Sequence, residues 1–532
     1  MIKQDGSKFD LKRTRFLDKV ALLLFAIIFF PILFLLVISL FQKTESLKYL
    51  FENLLLDYTI NTIYLIGITS FFSLILGIIP AWYISNYKFT GRRLIDLILY
   101  LPLAIPTYIM AYSYSEILSF TGPFNFTYDF LKIEVLGIIL AFSLYPYIYS
   151  VSRISFSLLG SRYYDISKNL GLSGIQTLFR VVLPLSKPAI FSGLFLVIME
   201  VLNEYGAVKY FGVNTYTIGI FRSWNSMNDT GAAIQLSSIL LFIVAFLFFT
   251  EKYFNQKKRF SFLKNSKLLS LYRPEKSRLF LIYLICLVPI FLAFIVPVFF
   301  NFSNIFSNLD SIDFERLFNL TLNSFSVSLI ASVFILLFST FFLYNEKISK
   351  SKFYYYINQF ISLGYSIPGA VVALAVIMFI TSLDKLNDEI SIFGNFYVYL
   401  LILVYAYIIR FMAVGKSPIK SSLEKHPDSY DSSAKNLGLS NFQIFKKIYF
   451  PINKYSFFTA LTLVFIDLMK ELPITLILRP FNFDTLATQT YEFAVEEMIP
   501  LSSIYSSVII LICCILLTTL KIFLDKSDVF RS

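Results

Sequence analysis

Charge is what this sequence has least of. Only 15% of its 532 residues are Asp, Glu, Lys or Arg, against about 25% in ordinary soluble proteins, which excludes a water-soluble globular chain. Histidine is nearly absent. His426 is the only one, so neither a His cluster for a metal nor a His-based catalytic triad can be assembled, and it is expected in a solvated loop. Cysteine is almost as rare: Cys286, Cys513 and Cys514 all fall in apolar stretches, which excludes a disulfide framework and a thiolate metal site and leaves three inert thiols. What is present instead is hydrophobic side chain, 57% of the chain.

The apolar residues come in long runs. Stretches such as 20–41, 279–300 and 502–520 have the length of roughly 20 residues that a helix needs to cross about 30 Å of hydrocarbon. Backbone groups in lipid must find partners within their own segment, so such runs are helices. The expected fold class is an all-α polytopic membrane protein of about 12 spans: 19–42, 59–86, 94–118, 135–157, 187–206 and 232–250 in the first half, and 279–301, 320–344, 357–382, 395–414, 456–473 and 500–522 in the second. The first run is too long for a signal-peptide core and is not followed by a small-residue cleavage site, so it is expected to be retained as a span.

The net charge of +12 is not a nucleic-acid footprint. Its cations sit between spans, where they set orientation. Lys8, Lys12, Arg13 and Arg15 precede the first span, Lys88, Arg92 and Arg93 follow the second, and Lys252, Lys257, Lys258, Arg259, Lys264, Lys267 and Arg273 fill the central connection. The alternate loops are poorer in cations and carry Glu45, Asp310, Asp313, Asp384 and Glu389. Both termini are therefore expected in the cytoplasm of a multi-pass membrane protein.

A polar loop occurs twice. Residues 161–173 end in Lys168-Asn169-Leu170-Gly171-Leu172-Ser173, residues 428–440 end in Lys435-Asn436-Leu437-Gly438-Leu439-Ser440, and each glycine is followed thirteen positions later by a proline, Pro184 or Pro451. The offset of 438 − 171 = 267 residues implies a duplicated unit. Residues 1–250 are read as the first repeat with its loop at about 158–187, 251–278 as a cytoplasmic linker, and 279–532 as the second repeat with its loop at about 415–455. An even number of spans per half makes the repeats parallel. Leu101–Pro106 in the third span is matched by Leu363–Pro368 in the ninth, where a proline bends the helix, either to line a pathway or as an ordinary packing kink. The loops are longer and more polar than a connection needs, and their duplication points to docking of a cytoplasmic partner.

Carboxylates follow each loop. Glu200 and Glu204 in the fifth span correspond to Asp467 and Glu471 in the eleventh at the same offset, and each pair is spaced i, i+4, on one face of a helix. An acid within a span costs about 2.5–3.5 kcal/mol at the bilayer centre. Glu200 and Glu204 fall roughly 24–30 Å along the helix from Pro184, toward its external end. Two readings are open: a cation pathway, or a structural ion-pair network using Lys470, Lys209 or Arg479. Gly415-Lys416-Ser417 looks like the end of a phosphate-binding loop, but Arg410 stands where that motif's first glycine belongs.

The loop resembles the "EAA" loop of ABC importer permeases, through Asp165, Gly171 and Val181-x-Leu183-Pro184 in the first copy, and Asp431, Gly438 and Pro451 in the second. Asp165 stands where that family has Glu, and Asp431 lies one place early. The segments from Glu204 to Trp224 and from Met469 to Thr488, with Tyr210-Phe211-Gly212-Val213, Lys470-Glu471-Leu472-Pro473 and Arg479-Pro480-Phe481-Asn482-Phe483-Asp484-Thr485, are similar to the fused, two-half permeases of ferric-iron ABC importers. The resemblance implies a type I importer permease fold in the bacterial inner membrane. It implies docking of two copies of a separate ABC ATPase through Asp165, Lys168, Asn169, Gly171, Pro184, Asp431, Lys435, Asn436, Gly438 and Pro451. An external, periplasmic ferric-binding protein would deliver the cargo to segments 207–230 and 474–499, which otherwise read as ordinary external loops. The chain itself is expected to bind no cofactor, with ATP and Mg on the partner, and to be no enzyme. Fe³⁺ would pass Glu200, Glu204, Asp467 and Glu471, with Glu204 and Glu471 as transient ligands, since a hard cation takes oxygen donors. The alternatives are the same machine carrying thiamine, a phosphonate or a polyamine, or an ion-coupled secondary transporter.

Overall fold

The computed structural model describes residues 5–42, 48–120, 122–123, 127–256, 272–349, 351–385, 396–427 and 429–529. The middle of the linker, with Lys257, Lys258, Arg259, Lys264 and Lys267, lies outside the described residues, as do Glu45, Glu389 and Asp428. Among the described residues every regular element is helical, apart from an isolated parallel bridge between Tyr87 and Tyr272.

Among the described residues ten helices are long and apolar enough to cross a membrane, and two bent pairs bring the possible total to twelve. The bent pairs are the third and ninth spans of the sequence reading, which had them as continuous helices with a proline bend. The chain instead turns by 92° between Arg92–Ala104 and Thr107–Ile117, and by 112° between Lys352–Ser366 and Gly369–Asp384. The cause is local. A proline pushes the residue before it out of helical geometry, and Ile105 (ψ 115°) and Ile367 (ψ 125°) are extended while Pro106 and Pro368 stand at the head of the next helix. The carbonyl freed at Ile105 accepts from Ser143 Oγ at 2.9 Å, the kind of internal partner a break at membrane depth requires.

The repeat in sequence and the compact units in space are different divisions. One unit joins Met1–Lys43 to Phe325–Phe483, and the other joins Thr44–Ser324 to Asp484–Ser532. In the first unit the opening span lies against second-repeat helices, with Phe30 meeting Phe379 at 5.1 Å and the Tyr405 hydroxyl donating to the Ile27 carbonyl. In the second unit the seventh and twelfth spans lie with the first repeat: Asn301 donates to Ser113 Oγ (2.6 Å) and accepts from Ser506 Oγ (2.7 Å). These bonds join span to span where aliphatic contact alone gives little preference over lipid.

Candidate functional site: docking loops and buried carboxylates

Each loop begins with a short helix, Gly160–Asn169 or Ser429–Asn436, and both are closed by the same bonds. Gly171 N donates to Lys168 O and Gly438 N to Lys435 O, both at 2.9 Å, while Leu172 N reaches Ser167 O (3.0 Å) and Leu439 N reaches Ala434 O (3.1 Å). This closure needs a left-handed residue after the helix, and the glycines supply it at φ +74° and +77°. The next turn opens with a capping box in each copy, Ser173 with Gln176 and Ser440 with Gln443, at 2.9 and 3.3 Å in both. The shared Leu-Gly-Leu-Ser is thus one rigid corner made twice.

The sequence puts the fifth and eleventh spans at 187–206 and 456–473, starting just after Pro184 and Pro451. The helices in fact run without a break from Gly174 to Asn203 and from Asn441 to Met469. A π-helical turn, Leu178–Val182 or Phe445–Tyr449, precedes each proline and keeps the helix continuous where the imino nitrogen has no proton to donate.

The polar candidates Lys168, Asn169, Lys435 and Asn436 are exposed. The sequence reading missed the apolar residues beside them. Leu170 and Leu437 are 74% and 80% exposed, and Ile175 and Phe442 are 66% and 65% exposed. Their signal was present in the shared Leu before each glycine. Beneath these tips, buried Tyr164 lies 5.6 Å from Trp82 in the first copy, and buried Ala434, Ile444 and Tyr449 pack together in the second. Burial holds the Tyr164 phenol above its ordinary pKa, so it stays neutral. The two acids are engaged within the chain: Asp165 Oδ1 accepts from the Tyr272 hydroxyl (3.3 Å) and Asp431 Oδ1 from the Tyr449 hydroxyl (2.8 Å). Burial, then the Asp165 carboxylate, raise the Tyr272 phenol, so it remains a donor, and Lys168 Nζ stands 5.4 Å from its ring centroid.

At the other end of the long helices the expected i, i+4 pairs do not form on one helix face. The helices stop at Asn203 and Met469, before the second acid of each pair, because Tyr205-Gly206 and Leu472-Pro473 start new short helices. Glu204 and Glu471, both nine-tenths buried or more, turn their carboxylates onto those helices. Glu204 Oε1 accepts from Ala207 N (2.9 Å) and Glu471 Oε1 from Ile474 N (3.1 Å), the same bond 474 − 207 = 267 residues apart. Glu204 Oε2 also accepts from Thr107 Oγ1. Glu200 is half-buried on the fifth span, and half-buried Asp467 pairs with Lys470 at 3.4 Å.

Glu471 has a partner that sequence reasoning did not assign to it: Arg410 Nη1 lies 3.3 Å from Oε1, and both side chains are under 5% exposed. The signal was a lone arginine in the tenth span. Lys416, of the supposed phosphate loop, is buried within the helix Phe396–Leu423 and donates to Asn358 O and to Ser362 Oγ (2.5 Å), so no such loop exists. Segments 207–230 and 474–499 are not ordinary external loops. They fold into short buried helices, including Gly206–Tyr210, Tyr216–Phe221, Pro473–Leu478 and Leu486–Val495, and Phe481, at 91% exposed, is the conspicuous exception. Among the described residues no three His, Cys, Asp or Glu side chains converge to hold a metal.

A duplicated helical membrane protein with a matched polar corner at one end of a long helix and a buried carboxylate near the other is a transport permease. The chain belongs to the binding-protein-dependent transport system inner membrane component family, which matches residues 73–260 and 347–527. It is thus an ABC importer permease of the type I fold and a multi-pass inner-membrane protein, whose class works with a substrate-binding protein and an ATPase. It is 25% identical over 508 residues to the Fe(3+)-transport system permease protein FbpB 2 of Haemophilus influenzae, covering 92% of this chain and 93% of that protein. It is 30% identical over 156 residues to the sulfate transport system permease proteins CysT of Salmonella typhimurium and Escherichia coli, covering 28% of this chain and 55% of each of them.

Proposed function

We propose that this chain is the membrane-spanning subunit of a ferric-iron importer. One observation carries the choice of cargo: the alignment with the Fe(3+) permease runs nearly end to end through both repeats, whereas the alignments with sulfate permeases cover 28% of the chain. Two copies of an ATPase, holding ATP and Mg, grip the two corners from the cytoplasm, where the termini also lie. A periplasmic ferric-binding protein delivers the ion from the other side.

The long helices supply the linkage. Gly174–Asn203 and Asn441–Met469 are 30 and 29 residues long, about 45 Å at 1.5 Å per residue. Each is continuous from the corner that meets the ATPase to within two residues of a buried Glu. Closure of the ATPase pair swings these rods, and the turns at Glu204 and Glu471 move with their ends, so that the pathway opens alternately to either side. The oxygens of the Glu204 carboxylate suit a hard trivalent cation.

The test is uptake of labelled Fe³⁺ by proteoliposomes holding the chain, its ATPase and the ferric-loaded binding protein, with sulfate and thiamine as competitors. ATP-dependent iron uptake indifferent to both competitors is expected. Uptake of sulfate or thiamine instead would reassign the cargo within the same architecture, and iron uptake without the ATPase would point to a secondary transporter.

A further inference from the structure

The two repeats give their buried carboxylates different surroundings. Around Glu471, the helix after the break begins with Gly369 and runs through Ala370 and Leu374, Leu472 follows the acid, and Arg410 pairs with it. Around Glu204, the offset of 262 set by Pro106 and Pro368 puts Thr107, Tyr108 and Tyr112 at the positions of Gly369, Ala370 and Leu374, and the offset of 267 puts Ser143 and Tyr205 at those of Arg410 and Leu472. Aliphatic residues and a guanidinium in one repeat are therefore hydroxyls and phenols in the other.

Those phenols converge. The Tyr491 hydroxyl donates to the Tyr205 hydroxyl at 3.1 Å, and Tyr205 is held flat against Phe221, with ring centroids 3.7 Å apart. Tyr112 is 2% exposed, its ring lies 5.0 Å from that of Tyr210, and its hydroxyl has no hydrogen-bond partner among the described residues. Its helix, Thr107–Ile117, opens with the Thr107 whose hydroxyl donates to Glu204 Oε2. An unsatisfied buried hydroxyl costs about 1–3 kcal/mol, so its retention on the helix that bonds Glu204 calls for a ligand.

We infer that Glu204, Tyr112, Tyr205 and Tyr491 form a single, asymmetric station for a trivalent hard cation in transit, and that Glu471 is a structural ion pair with no place in it. The inference rests on the ferric reading and deepens it. Phenol and carboxylate oxygens are hard donors, and a bound cation ionises a coordinating group as metals ionise thiols and water. The step is ligand exchange: a bond from iron to a citrate or water oxygen breaks, a bond from iron to the phenol oxygen forms as its O–H ionises, the proton leaves with the departing ligand, and iron stays ferric.

The test uses the full chain assembled with its ATPase, given ferric citrate for the absorption spectrum and the ferric-loaded binding protein for uptake. Wild type is expected to develop the visible phenolate-to-iron(III) charge-transfer absorption. The triple variant Tyr112→Phe, Tyr205→Phe, Tyr491→Phe, which keeps every ring, is expected to lose the band and to import iron at least about tenfold more slowly, while its ATP hydrolysis shows the complex intact. Glu471→Gln paired with Arg410→Met is expected to retain both band and uptake. Iron bound by wild type without the band, or a triple variant importing at the wild-type rate, would overturn the station and leave the cargo reading standing. A wild-type complex that imports no iron would remove both.

Discussion

Arg410 reaches Glu471 across a space left open by Gly369: Nη1 stands 3.3 Å from Oε1, and a Cβ on residue 369 would lie 2.7 Å from that oxygen and collide with the guanidinium. The pair is buried, so breaking it from one side strands a charge. Arg410→Met is expected to cost about 3–5 kcal/mol. Removing both charges with Arg410→Met and Glu471→Gln should recover most of that loss. Thermal unfolding of the detergent-solubilised chain measures both, and a double variant no more stable than the single would show that the pair is not what the site depends on. Gly369→Ala should behave as Arg410→Met does, because it expels the guanidinium.

The two repeated corners have no steric need for glycine. A Cβ on Gly171 or Gly438 would meet nothing within 4 Å, so alanine is penalised only through the backbone, by about 1–2 kcal/mol for a left-handed residue. Gly171→Ala and Gly438→Ala are expected to lower the unfolding temperature slightly while sharply reducing the ATPase stimulation that a loaded binding protein evokes. Gly91, at φ +74° and equally open, is the control. Gly91→Ala should carry the same small stability cost with no loss of stimulation.

Much of this could be read from the sequence, and the exceptions share a cause. Span number and approximate limits follow from apolar length, and the two corners follow from an identical hexapeptide. What periodicity could not reveal was where the backbone departs from it. Ile105-Pro106 and Ile367-Pro368 break their spans outright, and Tyr205 and Leu472 end the acid-bearing helices one turn early, so the i, i+4 pattern of Glu200 with Glu204 has no helix to sit on. Partners distant in sequence were also out of reach. Arg410 was visible as an arginine in a span, but its pairing depends on how the ninth, tenth and eleventh spans pack. Tyr491 is 286 residues from Tyr205.

Leu170 with Ile175, and Leu437 with Phe442, expose apolar side chains at the tips of otherwise polar corners, where no lipid is expected. Burying one such side chain is worth about 1.5–3 kcal/mol. Leu170→Asp and Leu437→Asp are each expected to weaken co-purification of the ATPase by tenfold or more, a factor that corresponds to about 1.4 kcal/mol, with unfolding temperature unchanged. A variant that holds its ATPase as wild type does would take the tips out of the interface. Lys168→Ala, at an exposed charge, should have a much smaller effect.

Asp96 gathers three partners at the start of the third span: Arg153 Nη2 at 2.7 Å and Lys521 Nζ at 3.5 Å from Oδ2, and the Tyr149 hydroxyl, which donates to Oδ1 at 2.6 Å. The carboxylate is 7% exposed, whereas Arg153 and Lys521 keep 24% and 17% of their side chains in contact with solvent. The penalties should therefore be unequal. Asp96→Asn leaves two cations facing each other around a neutral group and is expected to cost about 3–5 kcal/mol. Lys521→Met loses the longest contact, leaves Arg153 in place, and should cost under about 1 kcal/mol. Tyr149→Phe removes one hydrogen bond to a charged acceptor and should fall between them, at about 1.5–3 kcal/mol. The order of unfolding temperatures, Lys521→Met above Tyr149→Phe above Asp96→Asn, is the measurement. A Lys521→Met chain as unstable as Asp96→Asn would mean that the twelfth span is held to the first repeat chiefly through this lysine, and that Arg153 cannot satisfy the carboxylate alone.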